Sequence, residues 1–315
     1  MISGVVISGV VISGVVSSRD IGRIVFVAAV QTESSLRYSP EAHLIGFHIA
    51  NFTWTGGTPT LAADLANAAR TAEAAGVARI TVMDHFWQIS MVGPAENAML
   101  EAYTALGFLA AHTNRVLLHT LVTGVIYREP GLLAKAVTTL DVLSGGRAML
   151  GIGAAWNDEE SGGLGLPFPG TTERFDRLEE ALQIVLQMWS PSEEAFDGAH
   201  YHLGRTLNSP QSLSSPRPKI MIGGAGEQKT LRLVAKYADA CNLFGAAGAT
   251  RKLDILRAHC EREGRDYDEI EKTTVLGVDF SQASDAILDQ FRELHDLGFT
   301  VASVGAPRTR SIPGN

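Results

Sequence analysis

From residue 44 onward, short apolar runs alternate with segments whose apolar residues recur every three or four positions, and this alternation restricts the chain to a parallel sheet with helical crossovers. Eight strand candidates stand in the series, at 44–48, 79–84, 116–122, 148–153, 219–223, 240–244, 273–279 and 299–304. Eight such units predict an α/β chain that closes into a (β/α)8 TIM barrel. The first helix is expected to take Thr58 as N-cap and Pro59 as its first residue, with Leu61, Leu65, Ala68, Ala72 and Ala75 on one face and Gly76 ending it. In the fourth, Phe175, Leu178, Leu182, Val185 and Trp189 form the apolar stripe and leave Arg174, Arg177, Glu179 and Glu180 off it. Further helices are predicted over 97–112, 129–143, 227–237, 250–264 and 283–297, with Gly264 and Gly298 as terminators.

Three stretches break the pattern. Residues 2–16 are three copies of Ile-Ser-Gly-Val-Val, a β-prone tract without the basic start of a signal peptide and too short for a membrane span. Residues 1–42 are therefore expected to lie outside the fold, with an added edge strand as the alternative, and 43–315 to be the barrel domain. Between 190 and 218 the chain is rich in Pro and Ser without helical periodicity, which predicts an inserted loop region before the fifth strand. After the eighth strand only residues 305–315 remain, so the last helix of a closed barrel is expected to be missing.

A chain of 315 residues, 45% hydrophobic and 19% charged, can bury a large core, and its formal charge of -8 argues against non-specific binding to nucleic acid or anionic membrane. A small-molecule substrate is the better expectation. Cys241 and Cys260 are the two cysteines, without a CxxC pair or a Cys/His cluster, so neither a disulfide framework nor a structural metal is expected, in keeping with a reducing cytoplasm.

Active sites of such barrels sit at the C-terminal ends of the strands. There the sequence places Phe47 and His48, then Asp84, His85, Phe86 and Trp87, then Thr120 to Gly124, then Ala154, Ala155 and Trp156, then Gly223, Gly224 and Gly226. Aromatic residues beside His and Asp can form a ring-sized pocket, with Phe47, His48 and Trp87 as substrate-pocket candidates. The three glycines permit backbone amides to approach an anion ahead of a helix expected to begin near Glu227, although such a loop also serves as a tight turn. His85 has the reference pKa for proton transfer, or else is a capping residue. Asp84 can equally satisfy loop amides, and Trp87 and Trp156 can be core aromatics. Arg174 and Arg177 either lie on a solvated helix face or meet an anionic tail.

Three stretches together carry a family resemblance: TVMDHFW at 81–87, LSGGRAMLGIGAAWNDEE at 143–160 with the following LGLPFPGTTERFDRLEEAL, and PKIMIGGAGEQKTLRLVAKYADACNLFG at 218–245. From about 44 to 245 the chain resembles the luciferase-like monooxygenase superfamily in its F420-dependent branch. The resemblance implies a bacterial-luciferase-like barrel, coenzyme F420 as cofactor with FMN as the alternative, and a homodimer. By it, Asp84 and His85 approach the deazaflavin ring, Thr120-Leu121 is the place of a non-prolyl cis peptide behind that ring, Ala154, Ala155 and Trp156 face the cofactor, and Gly223, Gly224 and Gly226 form the phosphate loop. Members that oxidise glucose 6-phosphate have a Glu acid where this chain has Trp156, which argues against that substrate. The expected activity is hydride transfer between F420 and a small organic substrate, with His85 handling the proton. The alternatives are an FMN-dependent monooxygenase using dioxygen and a flavin-binding barrel without turnover.

Overall fold

In a computed structural model, the structure describes residues 44–245, 248–279 and 282–305, together with the backbone of 5–7, 10–13 and 28–30. The strands β1 Val5–Ile7, β2 Val10–Ser13 and β3 Ala28–Val30 pair antiparallel in a sheet of their own, so the described part of the repeat pairs with itself and with 28–30 rather than with the barrel. The barrel begins with β4 Leu44–Ile49, α1 Leu61–Ala74, β5 Arg79–Val82, α2 Ala102–Ala111, β6 Leu117–Thr120, β7 Thr123–Gly124, α3 Pro130–Ser144 and β8 Met149–Gly153. It continues with α4 Asp158–Gly163, α5 Thr171–Met188, the two-residue strands β9 Phe196–Asp197 and β10 His202–Leu203, β11 Lys219–Gly223, α6 Thr230–Tyr237, β12 Ala240–Asn242, α7 Ala249–Glu263, β13 Glu271–Leu276, α8 Ser284–Asp296 and β14 Val301–Gly305.

The main sheet runs β6-β5-β4-β14-β13-β12-β11-β8-β7, all parallel. Its two ends are one stave. β6 pairs with β5 and β7 with β8, and a parallel bridge between Leu118 and Ala148 joins the seam. The predicted third strand over 116–122 is thus interrupted, with Leu121-Val122 as a cis peptide between its halves, one bond later than the resemblance implied.

Period-two alternation decides which residues face the interior. On β4, Ile45, Phe47 and Ile49 turn outward into the core shared with the helices, whereas His48 turns inward. The interior holds a small apolar cluster of Leu121, Met149, Met221 and Ala240, alongside the buried polar side chains His48, Thr81, His119, Asn242, Thr273 and Ser303.

Helix starts differ from the sequence reading for local reasons. The first helix opens at Leu61 because Gly57 to Thr60 form a turn, with the Thr60 and Leu61 amides donating to the Gly57 and Thr58 carbonyls. α2 opens at Ala102 rather than near 97 because the Glu101 carboxylate accepts from the amides of Tyr103 and Thr104. The inserted region contains the β9–β10 hairpin, tied down where Asp141 accepts from the amides of Leu213 and Ser214. The expected absence of a last helix concerns residues after Gly305, which lie outside the described residues.

Candidate active site

At the C-terminal mouth of the barrel lies a cavity of about 320 Å³ lined by residues of the first six staves and of α5. It brings together His48, His85, Leu121, Ala154, Ala155, Trp156, Gly223 and Gly224 from the sequence-derived candidates. Met83, Ile89, Met91, Val122, Tyr127, Arg174, Phe175, Thr230 and Phe244 are further lining residues. Phe47, Asp84, Trp87, Thr120 and Gly226 are not part of the lining. Phe47 faces the helices, and the Trp87 ring lies so close over Gly163 of α4 that a side chain there would overlap it. Thr120 is fully buried, its hydroxyl donating to the Gly151 carbonyl.

Asp84 serves a different partner. It is 1% exposed and held by the Arg128 guanidinium at 2.5 and 3.0 Å, while Arg128 also reaches Glu101 at 2.5 Å and lies over the Tyr103 ring. Burial pushes the Asp84 carboxyl above its ordinary value, against the pull of Arg128. The ion pair ties the end of β5 to the segment between β7 and α3 and to the start of α2.

His85 stands on a second buried carboxylate, which sequence reasoning missed. After β8 the chain turns at Ala155, φ +63°, and Asn157 caps the short helix α4 by accepting from the Glu160 amide. Asp158 and Glu159 are exposed, and Glu160 alone of the acidic run is turned fully inside. There it accepts from His85 Nδ1 at 2.8 Å, from the Tyr127 hydroxyl at 2.8 Å, from the Trp87 amide at 2.8 Å and from the Phe86 amide. Burial raises the Glu160 carboxyl, but the bonds from His85, Trp87 and Tyr127 outweigh it and hold the group below its usual value, hence ionised. The Trp156 ring meets His85 edge-on at 5.4 Å.

The floor of the cavity is shaped by close packing. Side chains at Gly153 and Gly223 would come within 3.1 and 2.9 Å of the Val122 methyls, so these glycines let Val122 seat between β8 and β11. Gly224 has φ +127°, a backbone that branched residues resist, and it adjoins Thr230 in the first turn of α6. That helix begins three residues later than expected. Arg174 lines the cavity, with Nε on the Ala154 carbonyl, Nη1 on that of Pro169 and its plane over Phe168. Arg177 instead pairs with Glu173 and lies over Tyr201.

His48 donates to or accepts from Thr81 Oγ1 at 2.8 Å, and burial lowers its pKa to about 4; His119, in register with Thr81 on β6, is lowered to about 3, first by burial and then by Arg79. Both are neutral imidazoles in the folded chain near neutral pH. The unfolded chain titrates them near 6.5, so it binds more protons as the pH falls below that value. Stability is fully present above about 6.5 and is lost as the pH falls toward about 4 for His48 and about 3 for His119, each contributing up to about 1.4 kcal/mol per pH unit inside its window. Urea unfolding at stepped pH is expected to show a shallower acid decline for His48→Gln than for the wild type, and equal slopes would remove His48 from this account.

Among the described residues no helix is long and apolar enough to cross a membrane, and no three His, Cys, Asp or Glu side chains gather as a metal set. Residues 44–310 match the family described as luciferase-like monooxygenase. An F420-dependent glucose-6-phosphate dehydrogenase of Kineococcus radiotolerans is 31% identical over 250 residues, covering 75% of this chain and 69% of that protein. Among solved structures, an F420-dependent secondary alcohol dehydrogenase in complex with an F420-acetone adduct superposes with a TM-score of 0.71 at 16% identity, over 84% of this chain and 93% of that one. The monooxygenase RslO1 from Streptomyces bottropensis gives 0.65 at 18%, over 81% and 77%. These two share the fold. With the family matched from the first barrel strand through the last, the chain belongs to the luciferase-like monooxygenase family.

Proposed function

We propose that this protein is an F420-dependent oxidoreductase that transfers hydride between the deazaflavin and a small neutral substrate with an apolar body. The carrying observation is His85, which lines the cavity and is oriented from behind by a buried carboxylate. The residues present fit a flat ring with an anionic tail. Leu121, Val122, Ala154 and Ala155 offer an apolar wall, and Gly224, with its φ of +127° and no side chain, leaves backbone open beside the first turn of α6. When bound, the cofactor supplies the two-electron chemistry, and the chain supplies orientation and proton handling.

The substrate reading follows from the rim. Met91, Trp156 and Phe244 line the mouth and are 63%, 55% and 57% exposed, an apolar collar unusual for a wall left to water. Among the described lining residues the permanent cation is Arg174, and its guanidinium is bonded to carbonyls of this chain. The collar therefore favours an apolar body over a sugar phosphate, although the dehydrogenase relative is named for glucose 6-phosphate.

Fluorescence titration of the purified protein with F420 and, separately, with FMN tests the cofactor. Binding of F420 with weak FMN binding is expected; FMN binding with oxygen consumption would replace the proposal by the monooxygenase reading, and binding of neither by a barrel without turnover. Gly224→Val is expected to weaken F420 binding by at least about tenfold, the equivalent of one lost contact to a charged group. Its thermal midpoint should fall modestly, and unchanged affinity would remove the loop from the site.

A further inference from the structure

Among the described residues, every group that reaches the Glu160 carboxylate is a donor. Oε1 takes the amides of Phe86 and Trp87, and Oε2 takes the Tyr127 hydroxyl and His85 Nδ1. A fully buried, ionised carboxylate offers acceptors only, so Nδ1 of His85 must carry the proton. Among the described residues no group bonds Nε2, and this atom is not among the buried polar atoms without a partner, so it remains accessible on a ring that lines the cavity.

We propose that Glu160 is the positioning residue of this site, fixing His85 in the Nδ1–H tautomer so that Nε2 presents a lone pair to the substrate and His85 begins the reaction as a base. The inference rests on the reading of His85 as the proton-handling group. In the oxidising direction the substrate gives up two electrons and one hydrogen as hydride to the cofactor, and one proton to Nε2. The resulting imidazolium lies against the Glu160 carboxylate, and in the reducing direction it returns the proton. The same carboxylate holds the two backbone amides that follow His85, so it sets ring orientation as well as tautomer. Tyr127, donating to the same oxygen as His85, adds support without touching the imidazole nitrogen.

Glu160→Gln turns this logic around. With the amide oxygen kept on the two backbone amides, the new NH2 group faces Tyr127 and His85, and a ring that meets a donor at Nδ1 must move its proton to Nε2. The lone pair then points away from the substrate. A wrong tautomer in an otherwise intact site costs on the order of 10⁴ in turnover in the well-studied serine protease triad.

Long-range ¹H–¹⁵N spectra of the imidazole rings in alkaline buffer read the tautomer directly, with the His85 signals assigned by their loss in His85→Gln. The wild type is expected to show the proton on Nδ1, Glu160→Gln on Nε2, and Tyr127→Phe on Nδ1 as in the wild type. Turnover of Glu160→Gln is expected to fall by roughly 10²- to 10⁴-fold with F420 affinity near wild type, and that of Tyr127→Phe far less. A wild type with the proton on Nε2 would overturn the proposal even if Glu160→Gln did not fold. Turnover lost in Glu160→Gln with the tautomer unchanged would overturn it too, because the residue would then act through the loop alone. The spectra need neither cofactor nor substrate, so they stand apart from the role of His85: turnover retained in His85→Ala would fail the proton assignment whatever the tautomer.

Discussion

Replacing His85 by alanine is expected to lower turnover by about 10²- to 10⁴-fold, the range a positioned acid or base contributes, while F420 affinity stays near wild type. The separation follows from where the ring sits. One nitrogen is committed to Glu160 and the ring edge meets Trp156, so His85 offers the cavity a single ring nitrogen. The apolar wall of Leu121, Val122 and Ala154 and the glycine strand end are untouched by the change. Steady-state rates on reduced or oxidised F420, compared with direct titration of the cofactor, give both quantities. Added imidazole is expected to restore part of the rate, since the hole left behind has the shape of the missing ring. Equal loss of turnover and of cofactor affinity would instead make His85 a wall of the binding site.

The second large effect concerns stability. Arg128→Met is expected to destabilise the fold by about 3–5 kcal/mol, because it leaves the Asp84 carboxylate, 1% exposed, without its counter-charge. Arg128 also bonds Glu101, which caps α2, and lies over the Tyr103 and Phe86 rings, so methionine replaces some packing but none of the charge. Adding Asp84→Asn to Arg128→Met removes the stranded charge and is expected to recover part of the loss. A denaturation cycle over the four proteins measures this, and an Arg128→Met cost below about 1 kcal/mol would class the pair with exposed ion pairs. The single variant Asp84→Asn should keep its F420 affinity, since Asp84 is not part of the cavity lining.

The alternation of apolar runs and helical stripes was legible because burial on both faces of a parallel sheet leaves unbroken apolar segments, and the eight staves stand close to where those segments fall. Boundaries moved where a side chain took over a backbone bond, as Glu101 does at α2. His85 and Trp156 were legible as strand-end residues. Glu160 was not: Asp-Glu-Glu at 158–160 reads as a solvated acidic run, and only a six-residue helix after β8 turns its third member inward. Arg128 gave no signal either, since Tyr-Arg-Glu before a proline reads as an exposed loop. The glycine at 223 looked like room for a ligand, yet part of that room is filled by Val122 of the same chain.

The described cavity lining runs from His48 to Phe244, in the first six staves and the loops and helices that follow them, whereas β13 and β14 close the ring and turn Thr273 and Ser303 into its interior. This division separates tolerance to change along the chain. Random substitutions at the mouth ends of the first six staves should alter which compounds react, and those in 271–276 and 301–305 should register mainly as lost expression. Among the described residues, selection for new chemistry would thus draw most of its winners from the mouth ends of the first six staves, with β13 and β14 acting as ballast.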